Sequence, residues 1–121
     1  MKQILVVDDD PDILDALQFV LEDAGYSVKT CTNGEHAENL YDSGKLPKLI
    51  ILDVLISGKD GRDICRKLKQ NKRTKNIPIV MISAHPAVKK SVLDSGANNF
   101  IPKPFDITCL LNTVSLALSS S

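Results

Sequence analysis

Three aspartates, one serine and one lysine stand just beyond apolar runs in this sequence. Asp8 and Asp9 follow Ile4-Leu5-Val6-Val7, Asp53 follows Leu49-Ile50-Ile51-Leu52, Ser83 follows Ile79-Val80-Met81-Ile82, and Lys103 comes soon after Phe100-Ile101. Carboxylates gathered at one point repel one another, and at least one has its pKa raised unless a cation joins them. An all-oxygen set with few carboxylates and room for water suits Mg2+, which is hard, octahedral and reluctant to shed its hydration shell. No His or Cys cluster lies nearby to favour zinc. A magnesium ion clamps a phosphoryl oxygen while an acceptor attacks in line, so the set suits phosphoryl transfer, where positioning and charge neutralisation supply most of the catalysis. Lys103 would then meet the remaining phosphoryl oxygens with charge and Ser83 with a hydrogen bond. Asp10 and Asp12 read instead as cap and first-turn acids of a helix.

These residues act together only if the chain brings the ends of its apolar runs to one edge. The runs are continuous rather than alternating, as in strands covered on both faces, and Ser27 to Cys31 reads as a weaker strand. Helical spacing fills the intervals. Ile13, Leu14, Leu17, Val20, Leu21 and Ala24 form one stripe, and Ile107, Leu110, Leu111, Val114 and Leu118 another. Asp10-Pro11 opens the first helix and Gly25 closes it. Asn33-Gly34 opens a second running to about Tyr41, Asp60-Gly61 precedes a third over 62–70, and His85-Pro86 opens a short fourth that Gly96 ends. Alternating strand and helix predicts a parallel sheet with helices on both faces and right-handed crossovers. With the order 2-1-3-4-5, the ends of the first and third strands are neighbours, and Asp8, Asp9 and Asp53 share one pocket.

Composition narrows the classes further. The 121 residues are enough for one domain with its own core, 43% hydrophobic and 25% charged, with neither a membrane-spanning run nor a signal peptide. A cytoplasmic location is expected. Cys31, Cys65 and Cys109 are odd in number and widely spaced, and read as buried or half-buried thiols rather than a disulfide framework. The net charge is zero, yet residues 1–63 carry thirteen of the fifteen acids and residues 64–121 nine of the fifteen Lys and Arg. The dense cations from Arg66 to Lys75 fall at the end of a helix, where they complement its dipole and solvate the surface. With 4% aromatic residues there is no stacking platform for single strands, so no direct nucleic-acid contact is expected, and no membrane contact.

Taken together, Val7-Asp8-Asp9, Leu52-Asp53, Gly58-Lys59-Asp60-Gly61, Ser83-Ala84, Gly96-Ala97 and Lys103-Pro104-Phe105 resemble, over essentially the whole chain, a response-regulator receiver domain of two-component signalling. The resemblance implies an α/β fold: one (βα)5 flavodoxin-like domain over residues 1–121, with no effector domain present. It implies that Asp53 takes a phosphoryl group from a phosphohistidine on a sensor histidine kinase or phosphotransfer protein. Asp9 and Asp53 would bind Mg2+ directly, Asp8 more loosely through water, and the Leu55 backbone carbonyl would complete the protein ligands. Lys103 would pair with the phosphoryl group, and the Lys103-Pro104 bond is expected to be cis. The protein would be no conventional enzyme, but a signalling acceptor that promotes its own phosphorylation and dephosphorylation. Ser83 would move toward the phosphoryl group and Phe100 turn inward, so that the surface of the fourth helix, fifth strand and fifth helix engages a downstream protein or a second copy of the chain.

The chain departs from the usual pattern at three places. Ser57 stands where proline usually precedes the Gly58 turn, the 83–96 segment is slightly short, and the positions that tune phosphoryl lifetime in such domains hold Leu55 and His85. Leu55 also argues against an aspartate-nucleophile phosphohydrolase, which needs an acid there to protonate its leaving group. A flavin or nucleotide carrier would need a glycine-rich or Ser/Thr-rich loop after the first strand, where acids stand instead. A receiver-like module that is never phosphorylated usually lacks one of the acids or the lysine, and all are present. The residues leave open a stand-alone receiver, a phosphorelay intermediate, or the front of a larger regulator.

Overall fold

The structure, a computed structural model, describes residues 3–38, 45–56 and 58–119. The expected end of the second helix near Tyr41 and the Ser57 loop position lie outside the described residues. Strands β1 (Gln3–Val7), β2 (Ser27–Cys31) and β3 (Leu49–Asp53) alternate with helices α1 (Pro11–Asp23) and α2 (Gly34–Glu38). A short antiparallel hairpin of β4 (Leu55–Ile56) and β5 (Lys59–Asp60) precedes α3 (Gly61–Gln70). Strand β6 (Ile79–Ser83), a 3-10 turn at Pro86–Val88, α4 (Lys89–Asp94), β7 (Asn99–Pro102) and α5 (Ile107–Ser119) follow. The main sheet has the order β2-β1-β3-β6-β7, all parallel; leaving out the hairpin strands, this is the expected 2-1-3-4-5.

The continuous apolar runs are explained by the two slabs of core that sandwich the sheet. Side chains alternate along each strand. Leu5, Val7, Ile50, Leu52, Ile79 and Met81 face Ala37 of α2, Ile64, Cys65 and Leu68 of α3, and Val92 of α4. Ile4, Val6, Leu49, Ile51, Val80 and Ile82 face Leu14, Leu17 and Leu21 of α1 and Leu110, Val114, Ala117 and Leu118 of α5. Both faces of β1, β3 and β6 are therefore dry, and neither can tolerate polar residues in those strand interiors. Fully burying one such Leu or Ile stabilises the fold by about 1.5–3 kcal/mol.

Local signals set the helix ends. The Asp10 carboxylate accepts the Asp12 N–H at 3.0 Å, with Pro11 at the first helical position. Gly25 and Gly96 take φ of +99° and +103° just past α1 and α4, which a β-carbon would disfavour. Three details of the sequence reading are corrected. Ala24 is exposed, because α1 ends at Asp23 and Ala24 is its C-cap. Ile107 is 54% exposed, because it sits in the first turn of α5, ahead of the buried positions that begin at Leu110. Cys109 is exposed rather than half-buried, since it lies about 100° around the helix from buried Leu110. Cys65 is buried, and burial pushes its thiol up, away from the reactive thiolate.

Candidate functional site

Strand register brings the chemistry to one edge. Val7 stands opposite Leu52, so the chain leaves β1 as Asp8-Asp9 beside Asp53, the last residue of β3. Asp53 in turn pairs with Ile82, one residue short of Ser83, and Ser83 pairs with Pro102, one residue short of Lys103. The Lys103 N–H extends this ladder by donating to the Ser83 carbonyl at 2.8 Å. Each candidate residue thus lies level with, or one step beyond, its neighbour across the sheet.

Asp8, Asp9 and Asp53 each present a carboxylate oxygen within 4.8 Å of the others. Asp8 and Asp53 are buried and Asp9 is exposed. The two Asp8 oxygens have different partners: Oδ1 accepts the Asp10 N–H at 2.9 Å and Oδ2 lies 3.1 Å from the Lys103 ammonium. The same ammonium is 3.3 Å from Asp53 Oδ2. One lysine therefore serves two buried acids. Burial first, and then the charge of Asp8, pushes the Asp53 carboxyl above its usual range; Lys103 and the Val54 backbone N–H pull the other way without cancelling it. Burial works to lower Lys103, but its contacts with Asp8 and Asp53 together raise it. Two buried acids share a single ammonium and the cluster offers oxygen ligands, so a hard divalent cation of the magnesium type fits it.

The other anticipated residues take distinct positions. Ser83 is buried, and its Oγ accepts the His85 N–H at 3.0 Å. Leu55 directs its side chain to solvent, 66% exposed, while its backbone is held in the hairpin opposite Asp60. Phe100 is half-buried against the slab shared with α3 and α4. The Lys103-Pro104 bond is cis. An apolar cleft of about 380 Å³, lined by Ile13, Ala84, Lys103, Pro104 and Phe105, adjoins the lysine.

Some contributors were not legible in advance. The hairpin had only Gly58 as a signal, now seen at φ +80°. Gly61, expected from the sequence only to precede a helix, abuts the Asp53 backbone. Glu38 pairs with both Lys59 and Lys67, joining α2 to the hairpin and to α3, and these cations hold its carboxyl below the usual range. Part of the basic stretch is structural: Lys69 donates to the Ile77 carbonyl at 2.8 Å and to Asn98 Oδ1 at 2.9 Å. Among the described residues, no helix is long and apolar enough to cross a membrane.

Comparison with known proteins agrees with this geometry. The family model for the response regulator receiver domain matches residues 4–115. The chain is 36% identical over 116 residues, 94% of its length, to the DNA-binding dual master transcriptional regulator RpaA of Synechocystis sp.. It is 41% identical over 106 residues, 86% of its length, to the alkaline phosphatase synthesis transcriptional regulatory protein PhoP of Bacillus subtilis. It covers 48% and 43% of those proteins, so the chain spans about half the length of the curated relatives it matches. Because these relatives are named as DNA-binding or transcriptional regulators, the expectation of no nucleic-acid contact gains no support from them. Among solved structures, the signal receiver domain of a signal transduction histidine kinase from Syntrophus aciditrophicus aligns with a TM-score of 0.89 at 34% identity. The alignment covers 99% of this chain and 92% of that one. With a matching family model over nearly all of its length and the receiver fold in its sheet order, the chain belongs to the response regulator receiver domains of two-component signalling.

Proposed function

We propose that Asp53 is the phosphoryl acceptor of this receiver, and that Mg2+ held by Asp9, Asp53 and the Leu55 backbone carbonyl assists the transfer. The observation that carries the reading is one lysine shared by two buried acids, with a third acid within reach. Two buried carboxylates sharing one ammonium favour a divalent cation and a phosphoryl group beside them. Both Asp8 oxygens are already engaged, which supports contact with the metal through water rather than directly. When bound, Mg2+ supplies charge neutralisation at the phosphoryl oxygens.

In this reading an Asp53 carboxylate oxygen attacks the phosphorus of a phosphohistidine on a sensor kinase or phosphotransfer protein. The P–N bond breaks, an acyl phosphate forms, and the electron pair stays with the imidazole. Lys103 and Ser83 then meet the phosphoryl oxygens. Ser83 releases the His85 N–H as it does so, and Phe100 follows inward. The altered surface of α4, β7 and α5 engages a downstream protein or a second copy of the chain. The domain is a signalling acceptor that promotes its own phosphorylation and hydrolysis, with a cytoplasmic setting and residues 1–121 as the receiver unit. The apolar cleft beside Lys103 supports a protein donor packing next to the acceptor.

The test is incubation with Mg2+ and acetyl phosphate, followed by intact-mass measurement. One added phosphoryl group on the wild type and none on Asp53→Asn is expected. No adduct on the wild type, or an equal one on Asp53→Asn, would sink the reading.

A further inference from the structure

Arg62 lies outside the acceptor cluster, yet its guanidinium ties three segments together. Its Nε is 2.9 Å and 3.2 Å from the two Asp60 carboxylate oxygens, and its Nη2 is 2.7 Å from one of them. Nη1 donates to Ser91 Oγ at 2.9 Å, across 29 positions of sequence, and that hydroxyl donates to the Val88 carbonyl at 2.9 Å. Asp60 ends the hairpin opposite Leu55 and caps α3 by accepting the Arg62 N–H. Next to it, the Gly61 N–H donates to the Val54 carbonyl, closing the hairpin back on the residue after Asp53. The fork therefore connects the acceptor loop, the start of α3 and the fourth helix.

The fourth helix depends on such a connection. It is six residues long, follows a 3-10 turn, has no side-chain cap at Val88, and buries one apolar side chain, Val92. With so little apolar contact, polar tethers decide where it sits. Among the described residues, two of these lead back to the acceptor site: Ser83 Oγ holds the His85 N–H, and Arg62 holds Ser91. If Ser83 leaves its tether for a phosphoryl oxygen, the Arg62 fork still ties the segment to the hairpin beside Asp53.

We propose that Arg62 is a positioning residue that couples the hairpin beside Asp53 to the 86–94 segment, so that ligand binding at the acceptor loop and the arrangement of that segment bias each other. The inference rests on the reading of Asp9, Asp53 and the Leu55 carbonyl as a magnesium and phosphoryl site. Linkage makes the coupling reciprocal: if binding at the site shifts the segment, a change at Ser91 that shifts the segment, though it touches no carboxylate of the site, also shifts affinity at the site. A lysine at position 62 keeps the charge beside Asp60 but cannot span both partners with one ammonium.

The experiment compares wild type, Ser91→Ala, Arg62→Ala, Arg62→Lys and the Arg62→Ala/Ser91→Ala double variant. The readouts are Mg2+ affinity by calorimetry and hydrogen exchange over 86–94 in metal-free protein. Alanine favours helix at position 91, so the Ser91→Ala variant keeps its fold. Expected are faster exchange over 86–94 and a change in Mg2+ affinity of about fivefold or more in each single variant. No rescue by Arg62→Lys is expected, nor any further change when Ser91→Ala is added to Arg62→Ala. Faster exchange with unchanged Mg2+ affinity would reduce Arg62 to a structural brace and overturn the proposal, as would additive effects of the two alanines. Wild-type protein with neither Asp53-dependent Mg2+ binding nor an acetyl phosphate adduct would fail at the underlying reading as well. Normal wild-type behaviour with a silent Ser91→Ala would remove the coupling alone.

Discussion

Gly61 stands so close to Asp53 that a β-carbon at position 61 would overlap the Asp53 carbonyl oxygen and come within 2.8 Å of Met81 Cε and 3.1 Å of Val54 Cα. A methionine methyl can swing aside, but backbone on this strand end cannot. Gly61→Ala is therefore expected to destabilise the protein by about 3 kcal/mol, the upper part of the usual range for overpacking. Urea denaturation measures this. The same displacement of Asp53 should weaken Mg2+ binding, whereas Gly58→Ala, with open space around it, suffers only from its positive φ.

Lys103 neutralises two acids at once, so its removal leaves both uncompensated. Lys103→Met should destabilise metal-free protein by about 3 kcal/mol at pH 7, as expected when one partner of a buried ion pair is lost. Added Mg2+ should restore part of that stability. A loss no larger in metal-free protein than at saturating Mg2+ would count against the shared-lysine account.

Asp53→Asn should have the opposite sign. The Asp53 carboxyl is raised above its ordinary value of 3.8, so the folded state disfavours its charged form. The resulting penalty is fully present above the folded pKa, shrinks as pH falls through it, and is gone below the unfolded value. Asn keeps the shape without the charge and leaves Lys103 paired with Asp8. The variant is expected to be about 1 kcal/mol more stable than metal-free wild type at pH 7. That advantage should diminish as pH falls toward 3.8. Paired urea titrations across that interval measure the difference.

Magnesium should act as a folding ligand. At a free concentration ten times its Kd, it stabilises by about 1.4 kcal/mol through mass action. A matching rise in thermal midpoint is expected for wild type and should be absent in Asp9→Asn and in Asp53→Asn. Calcium, larger and less strict in its geometry, serves as the comparison ion.

The sequence carried the architecture because the sheet is buried on both faces and leaves continuous runs such as Ile50 to Leu52. That Asp8, Asp9, Asp53, Ser83 and Lys103 share one edge was legible for a related reason: residues that follow a buried parallel strand meet at its carboxyl edge. What stayed hidden depends on distances between side chains far apart in sequence. Nothing in the Asp60-Gly61-Arg62 string reveals that the arginine reaches Ser91, or that the glycine is required by the backbone of Asp53 rather than by its own turn. Ile107 was misjudged because helical periodicity defines a stripe but not where along a helix the stripe begins to be covered, and Cys109 because cysteine number and spacing say nothing of which helix face a thiol occupies.

The contact between Lys103 and Asp8 spans 95 positions of chain, and every strand of the main sheet except β2 ends at the residues it brings together. A slip of one residue in any of those strands would turn its side chains to the other face and dismantle the constellation. A nascent chain that has not yet produced β7 has the acids without their cation. Assembly of the constellation is thus delayed until β7 has been made and paired, and the edge doubles as a checkpoint on the integrity of the sheet.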